Sequence, residues 1–344
     1  MKGIILLSFI LLLQGCGTIK TWKAYSDEYD KEDAITTAPF YEDEYSQSIA
    51  KRFGLMALFS ELVYQRHLGE DREDIDECLT NTKIIDSDSY NPPKLPFSDT
   101  GMYWSRWRPI NKNVPVCYSD NGLFYDTFVL YSSIGKIEEA VIAFRGTENR
   151  TGEFIDDWKS NLSSFFGFEP TQYEISRKLL PSLINALKTT NPNVKIYSTG
   201  HSLGGGLAQQ AGYLSRDIIS VTTFNTSPVT NWTHLRLNRL VDNQYPIVFR
   251  LYHGGEVLEK VRFITTNSTD AQFGRHDIGV QFEPRSGFTG HSMEIITCAM
   301  AKLIASHENE EYEADHHYAP QYVLSELMQE GQMCFEMSSA EELR

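Results

Sequence analysis

Residues 194–214 read VKIYSTGHSLGGGLAQQAGYL. The apolar and β-prone residues 194–199 predict a strand, and residues 203–214, rich in Gly, Ala and Leu, predict a helix. Between them, residues 200–204 fit the pattern Gly-x-Ser-x-Gly, which in a strand-to-helix setting predicts a nucleophile elbow that carries Ser202. Glycine suits the two flanking positions, because Cβ atoms there would clash in so sharp a turn.

Further strands and helices alternate around this stretch. Strands are predicted at 128–131, 140–144, 194–199, 218–224 and 247–252, and helices at 44–67, 171–189, 203–214 and 292–306. Such alternation predicts an α/β fold, with a mostly parallel sheet and helices on both faces. Residues 133–136 are expected to close a hairpin. The helix at 44–67 is apolar most of the way round, which predicts a buried N-terminal helical extension, and residues 68–113 are expected to be rich in loops.

The N-terminus has the pattern of an export signal. Lys2 precedes an apolar run at residues 3–13 that is too short to span a bilayer, and Leu-Gln-Gly-Cys follows, ending at Cys16. This resembles a bacterial lipobox, although Gln14 stands where small residues are usual. We therefore expect residues 1–15 to be a lipoprotein signal peptide, Cys16 to be lipidated, residues 16–43 to be a tether and residues 44–344 to form one domain. The expected location is the bacterial envelope, lipid-anchored at the outer membrane and facing the periplasm.

The charge balance argues against nucleic acid as a partner. The chain has 344 residues, with 31 Lys and Arg against 46 Asp and Glu, for a formal net charge of −15. A polyanion gains no electrostatic attraction from such a surface.

Several segments around Ser202 together resemble one family. They are residues 143–147 (Ala-Phe-Arg-Gly-Thr), 156–162 (Asp-Asp-Trp-Lys-Ser-Asn-Leu), 200–208 and 223–228 (Thr-Phe-Asn-Thr-Ser-Pro). Over roughly residues 115–300 the chain resembles the class 3 lipases, the fungal-type triacylglycerol lipases with bacterial relatives and phospholipase A1 members. The resemblance implies an α/β-hydrolase fold, a Ser-Asp-His triad and an oxyanion hole. It assigns the two oxyanion donors to Thr147 and to the N–H of Leu203.

The triad chemistry requires a histidine late in the chain. A serine hydroxyl is a weak nucleophile until a histidine takes its proton, and in this fold the order is Ser, acid, His. His291 precedes the predicted helix at 292–306, where the family places its base. His276 is the alternative, whereas His201, beside the serine, is expected to point elsewhere.

The acid departs from the family pattern. Residues 250–257 read RLYHGGEV, so that Glu256 occupies the place of the family's Asp. Glutamate serves as the third member of some such triads, although its longer side chain needs a different loop position. Asp242 and Glu259 remain alternatives.

Four further cysteines, Cys78, Cys117, Cys298 and Cys334, are too widely spaced for a zinc ribbon or a thioredoxin-type motif. Disulfides are permitted in the periplasm, but the pairing stays open. Cys298 lies in an apolar helical stretch and is expected to be a buried thiol. The proposed chemistry needs no metal and no organic cofactor.

The sequence thus predicts a serine ester hydrolase that acts on acyl lipids, of lipase or phospholipase A1 type, at a membrane that it reaches through its anchor. Two alternatives remain: a small-ester or thioester hydrolase or acyltransferase with the same triad, and a non-catalytic lipoprotein scaffold. Residues 162–168 contain three Phe and are expected either to cover an acyl groove or to pack in the core. Residues 103–108 mix aromatic and cationic side chains, which suits a headgroup interface or a buried ion pair equally.

Overall fold

The computed structural model describes residues 44–64, 95–97, 102–107, 113–146, 169–227, 246–254, 275–280 and 291–305, together with isolated positions between them. The predicted signal peptide, Cys16 and the tether lie outside the described residues, as do Cys78, Cys334 and residues 162–168. None of the helices in the described part of the chain is long and apolar enough to span a membrane.

The described residues form four helices and nine strands. In chain order these are α1 (Glu44–Leu62), β1 (Leu95–Phe97), β2 (Met102–Arg106), β3 (Tyr118–Asp120), β4 (Leu123–Tyr131), β5 (Ile137–Phe144), α2 (Thr171–Thr190), β6 (Lys195–His201), α3 (Leu203–Leu214), β7 (Ile218–Phe224), β8 (Ile247–His253), β9 (Arg275–Val280) and α4 (Met293–Ala305). All predicted helices and strands are confirmed, but α1 ends at Leu62, before its predicted end at residue 67, and β4 begins at Leu123, before its predicted start at residue 128.

All nine strands belong to one sheet, in the order β1-β2-β4-β5-β6-β7-β8-β9, with β3 paired to β4. Strands β5 to β9 run parallel, and β1 to β4 add an antiparallel part. The predicted hairpin is confirmed between β4 and β5, where Ser132 N–H donates to the carbonyl of Lys136 at 2.7 Å. The sequence did not predict β1, β2, β3 or β9. The first two lie within residues 68–113, which were expected to be loop-rich and of which the greater part lies outside the described residues.

Helices cover both faces of this sheet. The strand residues of β5 alternate between the two: Val141 and Ala143 pack against α1 and α4, whereas Ile142 and Phe144 pack against α2 and α3. Such alternation follows from the period of two in a strand, and two apolar faces explain why β5 reads as a continuous hydrophobic run. This arrangement is the α/β-hydrolase fold that the sequence predicts.

Helix α1, the predicted N-terminal helical extension, is an integral layer of the fold. Its Ser60 hydroxyl lies 2.8 Å from the Thr199 hydroxyl on β6, and Thr297 on α4 donates to the Ala57 carbonyl at 3.2 Å. Nearly all of its second half is buried, as expected for a helix that is apolar most of the way round. The end of α1 is thereby carried to the carboxyl edge of the sheet.

Two expectations about individual side chains can be compared with the structure. Cys298 is fully buried, as expected, but it is disulfide-bonded, as is Cys117, so the prediction of a free thiol is wrong. An apolar helical neighbourhood indicates burial but carries no information on the redox state. At residues 103–108, Arg106 is buried and paired with Asp126, and Trp104 is buried beside it, which favours the ion-pair interpretation over a headgroup interface.

Candidate active site

Ser202 lies between the last residue of β6 and the first residue of α3, with φ +54° and ψ −125°. L-residues rarely adopt a positive φ, and holding one there costs about 1–3 kcal/mol unless the surroundings enforce it. Although serine at an N-cap usually bonds to its helix, the Ser202 side chain makes no capping hydrogen bond. Such strain is common at functional sites, and this geometry is that of a nucleophile elbow.

The glycines around Ser202 are required by close backbone contacts. A Cβ on Gly200 would lie 2.3 Å from the carbonyl oxygen of Gly204, and a Cβ on Gly204 would lie 2.2 Å from that of Phe144. Neither overlap can be relieved by a side-chain rotation, because both contacts are with the backbone. The glycines therefore let α3 begin directly against the end of β5.

Backbone hydrogen bonds hold the elbow to the neighbouring strand. The Ser202 N–H donates to the Phe224 carbonyl at 3.1 Å, and the Ser202 carbonyl accepts from the Ser227 N–H at 3.0 Å. The strained residue is thus fixed on both sides, by the last residue of β7 and by Ser227 three residues beyond it, which is how the fold maintains an unfavourable backbone conformation.

The structure brings His291 and Glu256 together. His291 lies two residues before α4, Glu256 follows β8, and the His291 Nδ1 is 2.7 Å from Glu256 Oε2. Both side chains are buried, and the same carboxylate oxygen accepts the Leu258 N–H at 2.8 Å. Because a carboxylate can only accept, the Nδ1 of His291 carries the proton, which leaves Nε2 as the basic nitrogen of the neutral ring.

Both residues reach the carboxyl edge of the parallel strands, where Ser202 also lies. The Asn225 side chain accepts the His253 N–H at 2.7 Å and so fixes the end of β8 just before Glu256. His291 is placed by a contact with the residue preceding Ser202, since its carbonyl oxygen is 2.6 Å from His201 Nε2.

The alternative base does not share this edge. His276 lies near the start of β9, opposite Phe249 on β8, and its ring stacks on that of Phe249 at 5.2 Å. Because strands β6 and β9 are three places apart in the sheet, the spacing of neighbouring strands puts His276 about 14 Å from the strand that ends beside Ser202. The alternative acids, Asp242 and Glu259, lie outside the described residues.

One of the two predicted oxyanion donors, Leu203, lies at the same edge. Leu203 is the first residue of α3, so its N–H belongs to the first turn, where a helix offers no internal acceptor. Thr147 lies outside the described residues, but Gly146 before it approaches Ser202 so closely that a Cβ there would lie 2.9 Å from Ser202 Cβ. The first turn of α3 also presents the positive end of a helix dipole.

Two residues of this neighbourhood were missed by sequence reasoning. Tyr64, just beyond α1, has its hydroxyl 2.9 Å from His201 Nδ1, and the Gly146 N–H donates to the same hydroxyl at 2.9 Å. His201 was expected to point away from the serine, and it points to Tyr64 and to His291. The available signal was a polar ring at the end of a buried strand, which has to find hydrogen-bond partners inside the protein.

Comparison with known protein families gives one match. Residues 122–271 match the model of a Tle-like phospholipase domain, described as phospholipase-like, over less than half of the chain. The matched segment contains Ser202 and Glu256 and ends before His291. It supports a hydrolase that acts on lipids or other esters. No significant match was found among curated proteins.

The fold is also similar to solved structures of esterases and lipases, all of them remote. A cold-adapted esterase from an Arctic intertidal metagenomic library is 8% identical, with a TM-score of 0.34, over 53% of this chain and 84% of that one. Lipase II from Rhizopus niveus is 17% identical, with a TM-score of 0.24, over 46% of this chain and 68% of that one. Acetyl xylan esterase 1 from Thermoanaerobacterium sp. JW/SL YS485 is 11% identical, with a TM-score of 0.29, over 61% of this chain and 86% of that one.

Proposed function

We propose that this protein is a serine ester hydrolase that acts on acyl lipids, with Ser202 as nucleophile, His291 as base and Glu256 as the orienting acid. The observation that carries the proposal is the buried contact between His291 Nδ1 and Glu256 Oε2, at the sheet edge where Ser202 is held at positive φ. The match to a phospholipase-like domain supports the same class of reaction.

The proposed reaction has two halves. Ser202 Oγ attacks the ester carbonyl while His291 Nε2 takes the hydroxyl proton, and the oxyanion is held by the N–H groups of Thr147 and Leu203. His291 then returns the proton to the departing alcohol, which leaves an acyl-enzyme. Water then attacks the acyl-enzyme while His291 takes one of its protons. As the bond between the acyl carbon and Ser202 Oγ breaks, His291 returns that proton to Oγ, which releases a carboxylic acid and restores the serine. Glu256 stabilises the imidazolium that forms in each half.

Acyl lipids are the proposed substrate class, with a lipase or phospholipase A1 specificity. The phospholipase-like family match supports a lipid over a small ester. A series of p-nitrophenyl esters of increasing chain length tests this choice. Higher kcat/KM for long acyl chains is expected, and a preference for acetate would favour the small-ester alternative.

The proposed setting is the bacterial envelope, with the chain anchored through lipid on Cys16 after removal of residues 1–15. Cys117 and Cys298 are both disulfide-bonded, which supports an oxidising compartment, because such bonds are rare in reducing cytosol. Metabolic labelling with a palmitate analogue tests the anchor: the label is expected in the wild type and absent from the variant Cys16→Ala.

The catalytic proposal is tested with an activity-based probe. A fluorophosphonate reacts with an activated serine, so wild-type protein is expected to be labelled and Ser202→Ala is not. Ester hydrolysis by Ser202→Ala is expected to fall by several orders of magnitude. Ser215→Ala, at the other end of α3, is the matched control and keeps full labelling. Normal turnover in Ser202→Ala would overturn the proposal, and absence of labelling in the wild type would favour a non-catalytic scaffold.

A further inference from the structure

Tyr64 and His201 form a chain of hydrogen bonds that joins four parts of the candidate site. The Gly146 N–H lies 2.9 Å from the Tyr64 hydroxyl, which lies 2.9 Å from His201 Nδ1, and His201 Nε2 lies 2.6 Å from the carbonyl oxygen of His291. The chain therefore runs from the residue before Thr147, through the end of α1 and the residue before Ser202, to the backbone of the candidate base.

The direction of each hydrogen bond follows from the chemistry of the groups. A carbonyl oxygen only accepts, so the proton of His201 lies on Nε2. Burial lowers the pKa of His201 well below its usual range, and the neighbouring His291 lowers it further, although the bond to the His291 carbonyl acts in the opposite sense. A neutral ring leaves a lone pair on Nδ1. The Tyr64 hydroxyl donates to that lone pair, and its oxygen accepts from Gly146.

We propose that Tyr64 and His201 are positioning residues for the proposed ester hydrolysis, a role that depends on that function being correct. His201 holds the backbone of His291 so that its ring stays on Glu256. Tyr64 holds His201 in this orientation and fixes Gly146, the residue before the predicted oxyanion donor. One hydroxyl, just beyond the end of α1, thus aligns the base and the oxyanion site with respect to each other.

The neutral state of His201 is part of this role. The rings of His201 and His291 have centroids 4.7 Å apart and both are buried. A proton on His201 Nδ1 would compete with Gly146 for the Tyr64 oxygen, and its charge would oppose the imidazolium that forms on His291 during catalysis. The Tyr64 hydroxyl favours the neutral form because it donates to Nδ1.

A positioning role and a purely structural role predict different kinetics for Tyr64→Phe. If the hydroxyl aligns the reacting groups, its removal lowers kcat by about 10- to 100-fold while KM changes by less than about twofold. Ser60→Ala is the matched control, because it removes the hydrogen bond from α1 to Thr199 on β6 and leaves the Gly146–Tyr64–His201–His291 hydrogen bonds in place. Its kcat is expected to equal that of the wild type.

The thermal midpoints of the two variants show whether a difference in kcat reflects stability. Equal kcat in Tyr64→Phe and Ser60→Ala, with an active wild type, would overturn the positioning role and leave the proposed hydrolysis intact. If instead Ser202→Ala keeps wild-type turnover, the hydrolysis proposal itself fails, and the positioning role fails with it.

A measurement without substrate tests the hydrogen-bond chain itself. In protein labelled with ¹⁵N-histidine, long-range ¹H–¹⁵N spectra report which ring nitrogen carries the proton. His201 is expected in the neutral form with its proton on Nε2 at pH 6. In Tyr64→Phe the ¹⁵N chemical shift of His201 Nδ1 is expected to move towards that of an unprotonated ring nitrogen that accepts no hydrogen bond. A charged His201 at pH 6, or a proton on Nδ1 alone, would overturn the inference whether or not the protein hydrolyses esters.

Discussion

The two halves of the sheet each contain a buried pair of ionisable side chains, and the pairs occupy different kinds of place. In the antiparallel part, Arg106 on β2 and Asp126 on β4 are paired within the strands, with side chains 5% and 1% exposed. In the parallel part, His291 and Glu256, 5% and 0% exposed, are paired in segments that lie beyond the strand ends. Burial alone therefore does not distinguish a structural pair from a candidate catalytic pair.

The place of each pair relative to the strand ends explains the difference, since Arg250 and Asp277 form a further ion pair within the parallel strands β8 and β9. Parallel strands end at the same edge, so the segments that follow them can bring together residues from distant parts of the chain and still leave one side open to a ligand. Antiparallel strands end at alternate edges, and a pair within them is enclosed by its neighbours: the Arg106 guanidinium also lies 5.3 Å from the centre of the Phe128 ring. We expect damage to the edge pair to reduce activity and damage to the strand pair to reduce stability.

The largest effect is expected at Glu256. In Glu256→Gln the negative charge that stabilises the His291 imidazolium is lost, so kcat for ester hydrolysis is expected to fall by about 10³- to 10⁴-fold. The side-chain volume is nearly kept, and the thermal midpoint is expected to stay close to that of the wild type. Steady-state kinetics and thermal unfolding on the same preparations check both. A kcat within tenfold of the wild type would assign the acid to another carboxylate.

A smaller effect, of the opposite kind, is expected at Arg106. Arg106→Met leaves the Asp126 carboxylate buried without its cation, which is expected to lower the free energy of unfolding by about 3–5 kcal/mol. Urea denaturation measures this loss, and kcat per folded molecule is expected to be unchanged. The double variant Arg106→Met/Asp126→Leu replaces both charges and is expected to recover most of the loss. If the double variant is as unstable as the single one, lost packing and not an uncompensated charge is responsible.

The same contrast separates what the sequence could predict from what it could not. Strand β6, Ser202 and helix α3 were predictable because a change from strand to helix periodicity at a Gly-x-Ser-x-Gly turn is a local signal. Strands β1, β2, β3 and β9 were missed because they are short or polar and depend on pairing with distant residues. Sequence order pointed to His291 and Glu256, which the structure brings into contact, and their catalytic roles stay predictions.

Tyr64 was beyond the reach of sequence reasoning for a related reason. It lies 137 residues from His201 in the chain, before the segment that resembles lipases, and nothing local marks it as part of the site. Its place follows from the packing of α1 against β6 and α4, which only a three-dimensional arrangement shows. The disulfide at Cys298 was missed likewise, since its apolar helix predicts burial alone.

The smallest of these effects concerns a third buried group, Glu61 at the end of α1, which differs from both pairs because its identified charged neighbour, Glu294, is also an acid. Burial, and next the charge of Glu294, raises the pKa of Glu61 to about 8. An acid whose pKa is higher in the folded than in the unfolded protein makes its full contribution to the free energy of unfolding below the unfolded pKa, near 4.5. That contribution is lost as the pH rises through the folded pKa of about 8. Glu61→Gln is therefore expected to be more stable than the wild type at pH 7, by about 3 kcal/mol, and nearly equal to it at pH 4.5.

Urea denaturation of both proteins across this pH range measures the difference, in which the titration of other groups, including His201, cancels. Glu174→Gln, on the exposed face of α2, is the control and is expected to show no such trend. A difference that does not grow between pH 4.5 and 8 would mean that Glu61 is charged in the folded protein and held by a cation. In that case the four buried acids of the described residues, Glu61, Asp126, Glu139 and Glu256, would each have a basic partner. The sheet edge would then differ from the strands only in its access to substrate.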